Sequence, residues 1–122
     1  MKNKLVVLVV DDQPGMRQLL GSVVAEAGHQ VYLAENGLEA VEMVRKIRPQ
    51  VVFMDVKMPV MDGLEALGEI KAIAPETEVI MMTAYISEEI KKAVTEKGAR
   101  CCLAKPFEID RVKGILSSHL EN

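Results

Sequence analysis

The sequence predicts an α/β protein: a doubly wound sheet of five parallel strands in the order 2-1-3-4-5, flanked by five helices. Three observations predict it. Apolar runs of strand length alternate with helix-period segments five times over. The runs are continuous in Val, Leu, Ile and Met rather than alternating with polar residues, as strands covered on both faces require. The 122 residues leave little room for long loops, so each helix between two strands has to serve as a crossover, and right-handed crossovers admit few topologies.

Residues 4–10 form the first apolar run. Met16, Leu19, Leu20, Val23, Val24 and Ala27 then fall on one helical stripe, closed by Gly28. Residues 30–34 read as a short second strand, and Asn36 caps a helix that reaches about Ile47 before Pro49. The third strand is 51–54. A loop with Pro59 follows it, and a helix starts near Asp62 or Gly63 and stops at Pro75. The fourth strand is 78–82. Ser87 caps the next helix, with Glu88 and Glu89 in the first turn where acidic groups suit the helix dipole, and Gly98 ends it. Residues 100–104 are the fifth strand, and Ile109, Val112, Leu116 and Leu120 form a last stripe over 108–120.

Composition narrows the function classes. Fifteen Lys and Arg against 18 Asp and Glu give a net charge of −3, wrong for a protein that holds nucleic acid or an anionic membrane by bulk charge. Hydrophobic residues at 49% supply an ordinary core. The longest apolar run, residues 5–10, is too short to span a bilayer, and no signal peptide is expected. The two cysteines, Cys101 and Cys102, are neighbours, which is not how a secreted scaffold is stapled. A single domain over 1–122 in the cytoplasm, with no output domain, is the expectation.

The polar residues that end the strands carry the chemistry. Three of the five aspartates lie there: Asp11 and Asp12 after strand 1, Asp55 after strand 3. Strands 1 and 3 are neighbours in the predicted order, so three carboxylates converge where the winding reverses. Like charges so placed repel unless a cation is present, and an all-oxygen donor set suits Mg2+. Any one strand-end aspartate is explained as well by helix capping, but Asp55 lies too far before its helix for that. Thr83 ends strand 4 and Lys105 ends strand 5 at the same edge. A hydroxyl and an ammonium facing metal-bound carboxylates form a place for phosphoryl oxygens.

The stretches Val10–Gln13 (VDDQ), Met54–Gly63 (MDVKMPVMDG), Met82–Ala84 (MTA) and Ala104–Phe107 (AKPF) resemble, in order and spacing, the receiver domain of bacterial response regulators. Among receivers the chain is most similar to the single-domain sporulation-phosphorelay type and less so to the chemotaxis type. The 2-1-3-4-5 sheet is this family's own, so topology and resemblance are not independent. The resemblance implies that Asp55 is the phosphoacceptor, taking a phosphoryl group from a histidine kinase's phosphohistidine. It implies that Asp12 binds Mg2+ directly and Asp11 through water, that Asp55 and the backbone carbonyl of Lys57 complete the protein ligands, and that Mn2+ can substitute. Lys105 then pairs with the phosphoryl group, Thr83 swings onto it in the active state, and the Lys105–Pro106 bond matches a position that is usually cis in the family, which leaves its isomer here open.

Where the family often carries an aromatic switch residue, this chain has Cys102, which offers no ring to move. Cys101 and Cys102 read as strand packing, one side chain on each face, with redox sensing the lesser alternative. Lys57 and Tyr85 match positions that tune phosphate lifetime, and a long cation and a ring there imply slow hydrolysis. Gln13, Met16 and Tyr85 match positions near the docking surface of the phosphorelay type, and Gly15 would allow close approach there. Met16, Met54, Met81 and Met82 fall on core patterns, Met58 and Met61 are offered to a partner surface or to packing, and His29 and His119 are expected at the surface.

The leading expectation is a stand-alone receiver that signals through protein contacts, with no chemistry beyond its own phosphorylation and dephosphorylation. It serves either as an intermediate that hands the group to a histidine phosphotransferase or as a diffusible, chemotaxis-type output. It is a monomer or a phosphorylation-dependent dimer, with no direct nucleic-acid or membrane partner. An aspartate-nucleophile phosphohydrolase wants an Asp-X-Asp strand end and a cap, where this chain has Asp11-Asp12. A flavin carrier wants a Ser/Thr-rich phosphate loop and aromatic residues, where this chain has acidic groups and 3% aromatics.

Overall fold

A computed structural model describes residues 4–121. The elements run β1 (Val6–Val10), α1 (Pro14–Glu26), β2 (Gln30–Ala34), α2 (Gly37–Ile47), β3 (Val51–Asp55), α3 (Gly63–Ile73), β4 (Glu78–Thr83), α4 (Glu88–Glu96), β5 (Cys101–Ala104) and α5 (Ile109–Glu121). All strand pairs are parallel and the sheet order is β2-β1-β3-β4-β5. The predicted fold class is the observed one.

Two apolar layers sandwich the sheet. Successive strand residues point to opposite faces, so Leu8, Val52, Met54, Val79 and Met81 pack under α2, α3 and α4. Val7, Val9, Val51, Phe53, Ile80 and Met82 pack under α1 and α5. Every residue of β3 is buried, which explains why its sequence shows no alternation. Cys102 packs on the first layer and Cys101 on the second, one on each face as expected, and burial pushes both thiols up.

Asn36 Oδ1, Asp62 Oδ1 and Ser87 Oγ each accept a backbone N–H three residues on, starting α2, α3 and α4. Gly28 and Gly98, at φ 97° and 102°, take the left-handed position after α1 and α4.

Several expectations need correction. Strand 1 begins at Val6; Leu5 is buried but its N–H leaves the sheet for a side chain. On α1 the buried face is Leu20, Gly21, Val23 and Val24, whereas Leu19 is 51% exposed and Ala27 lies past the helix. A stripe of six is wider than the arc a helix turns toward one sheet, and Gly21 is what lets α1 approach Leu33 of β2. On α5, Val112, Ile115 and Leu116 face the sheet, while Ile109 and Leu120 are exposed. Met16 is half-buried and belongs to neither core layer, whereas Met58 and Met61 pack against the first.

Neither histidine is a plain surface residue. His119 Nδ1 lies 2.7 Å from Glu78 Oε1, in a cluster where Arg100 also reaches Glu78 and Ser118. His29 is buried, and its Nδ1 accepts the Leu5 N–H at 3.1 Å. That role needs the neutral ring, and burial holds His29 below its ordinary value. The unfolded chain therefore takes up this proton first. The stability contribution is complete above about pH 6.5 and is lost as pH falls below it. Urea unfolding at pH 7.5 and 5.5 is expected to show a loss of about 1 kcal/mol that the His29→Gln variant does not share.

Candidate functional site

The carboxyl ends of parallel strands meet along one edge, so a polar residue that ends an apolar run is delivered there by topology alone. Asp11 follows β1, Asp55 closes β3, Thr83 closes β4 and Lys105 follows β5. Oxygen atoms of Asp11, Asp12 and Asp55 lie within 4.8 Å of one another. Beside them is a cavity of ≈ 250 Å³ lined by Asp12, Gln13, Asp55, Lys57, Thr83, Ala84, Tyr85 and Lys105.

The three carboxylates are held differently. Asp11 is 0% exposed and every polar atom it has is bonded. Its N–H donates to Ala34 O at 3.1 Å and its carbonyl accepts Arg17 Nη1 at 2.7 Å. Its Oδ1 accepts the Gln13 N–H at 3.0 Å and its Oδ2 accepts Lys105 Nζ at 2.7 Å. Asp12, the next residue, is exposed. Asp55 is buried, with Oδ2 3.2 Å from Lys105 Nζ. Asp12 is thus the open carboxylate of the three, and Asp11 the one whose oxygens are already engaged.

The charges are unevenly matched. Burial pushes Asp55 above the usual carboxylate range, and the Asp11 charge adds to this; Lys105 and the Lys57 N–H oppose it without prevailing. Burial alone works against the Lys105 charge, but its hydrogen bond to Asp11 and the nearby Asp55 outweigh that and raise it. One ammonium pairs with Asp11 and Asp55, the Asp12 carboxylate has no ion-pair partner among the described residues, and the remaining negative charge calls for a cation. The donors are hard oxygens, one carboxylate of the set is exposed, and the adjoining cavity has room for water and a phosphoryl group. Mg2+ fits that donor set.

Thr83 is buried, and its Oγ1 accepts the Tyr85 N–H at 3.1 Å. The hydroxyl proton is therefore free for another acceptor. Tyr85 is 79% exposed at the cavity rim. The Lys105–Pro106 bond is cis, the isomer usual at the matching position of the family. Of the other residues singled out in the sequence, Gln13 and Lys57 reach the cavity, whereas Gly15, Met16, Cys102 and Pro106 do not line it. Gly15 and Met16 occupy the first turn of α1, and Cys102 is half-buried behind α4.

Sequence reasoning missed three contributors. Arg17 reaches back to the Asp11 carbonyl, which no spacing rule shows. Gly63 packs so tightly that a Cβ would collide with the Asp55 carbonyl; the family motif contains it, but the close approach emerges only from the fold. Val60, exposed in the loop after Asp55, has φ 70°, a region β-branched residues rarely enter.

The profile of the response regulator receiver domain matches residues 7–117. The chain is 42% identical over 114 residues to the sporulation initiation phosphotransferase F of Bacillus subtilis, covering 93% of this chain and 92% of that one. It is 41% identical over 109 residues to the chemotaxis protein CheY of Listeria monocytogenes, covering 88% and 92%. Among solved structures, the CheX–CheY–BeF3–Mg2+ complex of Borrelia burgdorferi superposes with a TM-score of 0.89 at 28% identity, covering 95% of this chain and 89% of that one. With this fold, this acidic edge and these relatives, the chain belongs to the response regulator receiver domains of two-component systems.

Proposed function

We propose that this receiver accepts a phosphoryl group from the phosphohistidine of a histidine kinase onto Asp55, in a Mg2+-dependent reaction, and hands it on as a phosphorelay intermediate. The observation that carries the proposal is the Asp55 carboxylate lining the cavity with Lys105 Nζ at 3.2 Å and the Asp11 and Asp12 oxygens beside it.

An Asp55 oxygen attacks phosphorus while the P–N bond to the donor imidazole breaks. The bonding pair leaves with the imidazole nitrogen, and the product is an acyl phosphate. Asp12, Asp55 and the Lys57 carbonyl would hold Mg2+, which supplies charge neutralisation for the transferred group's oxygens. Lys105 needs no large movement to meet those oxygens, since its ammonium already sits against Asp55. Thr83 keeps a hydroxyl proton to donate to one of them. The residues position and neutralise rather than form further covalent bonds.

Two features support the relay role over a short-lived output. Lys57 and Tyr85 line the cavity from the loops after the neighbouring strands β3 and β4, where a long cation and a ring would hinder in-line attack of water on an acyl phosphate. The family's usual aromatic switch position holds Cys102, which is packed behind α4. After labelling with acetyl phosphate, the aspartyl phosphate is expected to persist for hours; loss within a minute contradicts the relay reading. Lys57→Asn is expected to shorten the lifetime about tenfold, equal to about 1.4 kcal/mol on the hydrolysis barrier. An unchanged decay in that variant removes Lys57 from the account.

A further inference from the structure

Asp12 is exposed, and among the described residues no hydrogen bond reaches its carboxylate. Its position is therefore set by its backbone alone. That backbone lies in a turn whose helix cap, Gln13, makes no side-chain capping bond. Two bonds hold the turn: the Gln13 N–H donates to Asp11 Oδ1 at 3.0 Å from within it, and Arg17, one turn into α1, donates from outside it, Nη1 to the Asp11 carbonyl at 2.7 Å. The carbonyl oxygen shares a rigid plane with the Asp12 N–H, so holding one fixes the direction in which Asp12 departs. The Arg17 N–H also makes the first helical bond of α1, to Gln13 O at 2.9 Å. Backbone and guanidinium of one residue thus grip both ends of the Asp11–Gln13 turn.

We propose that Arg17 is a positioning residue that presets the Asp12 carboxylate for the cation. The inference rests on the reading of Asp11, Asp12 and Asp55 as a Mg2+ site. It makes a prediction opposite in sign to the simpler electrostatic one. A guanidinium near a dication site repels the dication, so removing a cation that acts by charge alone tightens Mg2+ binding. Removing a residue that positions Asp12 weakens it.

The test is calorimetric titration of Mg2+ into the full chain with no phosphodonor present. Arg17→Met keeps the apolar stem and loses the donor, Arg17→Ala loses both, and Arg17→Lys keeps a charged donor. We expect the Mg2+ Kd to rise about tenfold in the Met and Ala variants, the size seen when a group supporting a metal ligand is removed, and to recover in large part in the Lys variant. Labelling by acetyl phosphate at saturating Mg2+ is expected to stay within about twofold of wild type, because the defect lies in metal affinity and not in transfer. An unchanged or lower Kd in Arg17→Met, with wild type binding Mg2+ normally, overturns this inference and leaves the site intact. Failure of the wild-type chain to bind Mg2+ overturns the site and this inference together.

Discussion

Lys105→Met is expected to destabilise the protein by about 3–5 kcal/mol and to abolish phosphorylation. Lys105 Nζ bridges Asp11 Oδ2 at 2.7 Å and Asp55 Oδ2 at 3.2 Å; Asp11 is closed to solvent, and Asp55 is largely buried and meets only the cavity. Methionine keeps the apolar stem, so the loss is that of the charge. Asp11 is then left buried with one oxygen unpaired, and an uncompensated buried charge is among the most costly single changes available to a fold. Urea unfolding at neutral pH without Mg2+ checks the magnitude. A loss below about 1 kcal/mol shows that Asp11 is better solvated than the geometry indicates.

Asp55→Asn is expected to act in the opposite direction on stability, although it breaks the same cluster. Burial and the Asp11 charge hold the Asp55 carboxyl above its ordinary value despite Lys105, so the folded state disfavours the ionised form. For such an acid the folded chain binds the proton more readily, and stability rises as pH falls from above toward the unfolded value of 3.8. The uncharged amide provides that relief at every pH, by about 1 kcal/mol at neutrality, a common gain when a functional group held against its preference is neutralised. Lys105 keeps its partner in Asp11, so nothing is stranded. Two substitutions within one ion cluster thus separate: one loosens the fold, the other tightens it, and both end phosphorylation. Equal destabilisation by both contradicts the charge arrangement described here.

Much of this site was legible in the sequence because parallel strands leave little choice. A polar residue that ends a buried run must lie at the carboxyl edge, which placed Asp11, Asp55, Thr83 and Lys105 together without any side-chain geometry. Side-chain reach was not legible. Arg17 sits among the apolar positions of α1, and nothing in its spacing shows that its guanidinium turns back to a carbonyl. His29 stands at a helix-to-strand turn, where no periodicity applies, and its burial follows from the Leu5 N–H that needs an acceptor. Helix stripes were read too wide: Leu19, Ile109 and Leu120 fit the 3.6 period yet lie beyond the arc that meets the sheet.

Intact-mass spectrometry after incubation with acetyl phosphate, with and without Mg2+, tests the central claim most directly. The account predicts a Mg2+-dependent gain of one phosphate in the wild-type chain, located on Asp55 by peptide mapping and absent from Asp55→Asn. A phosphate that persists in Asp55→Asn, or that forms equally well without a divalent cation, contradicts it.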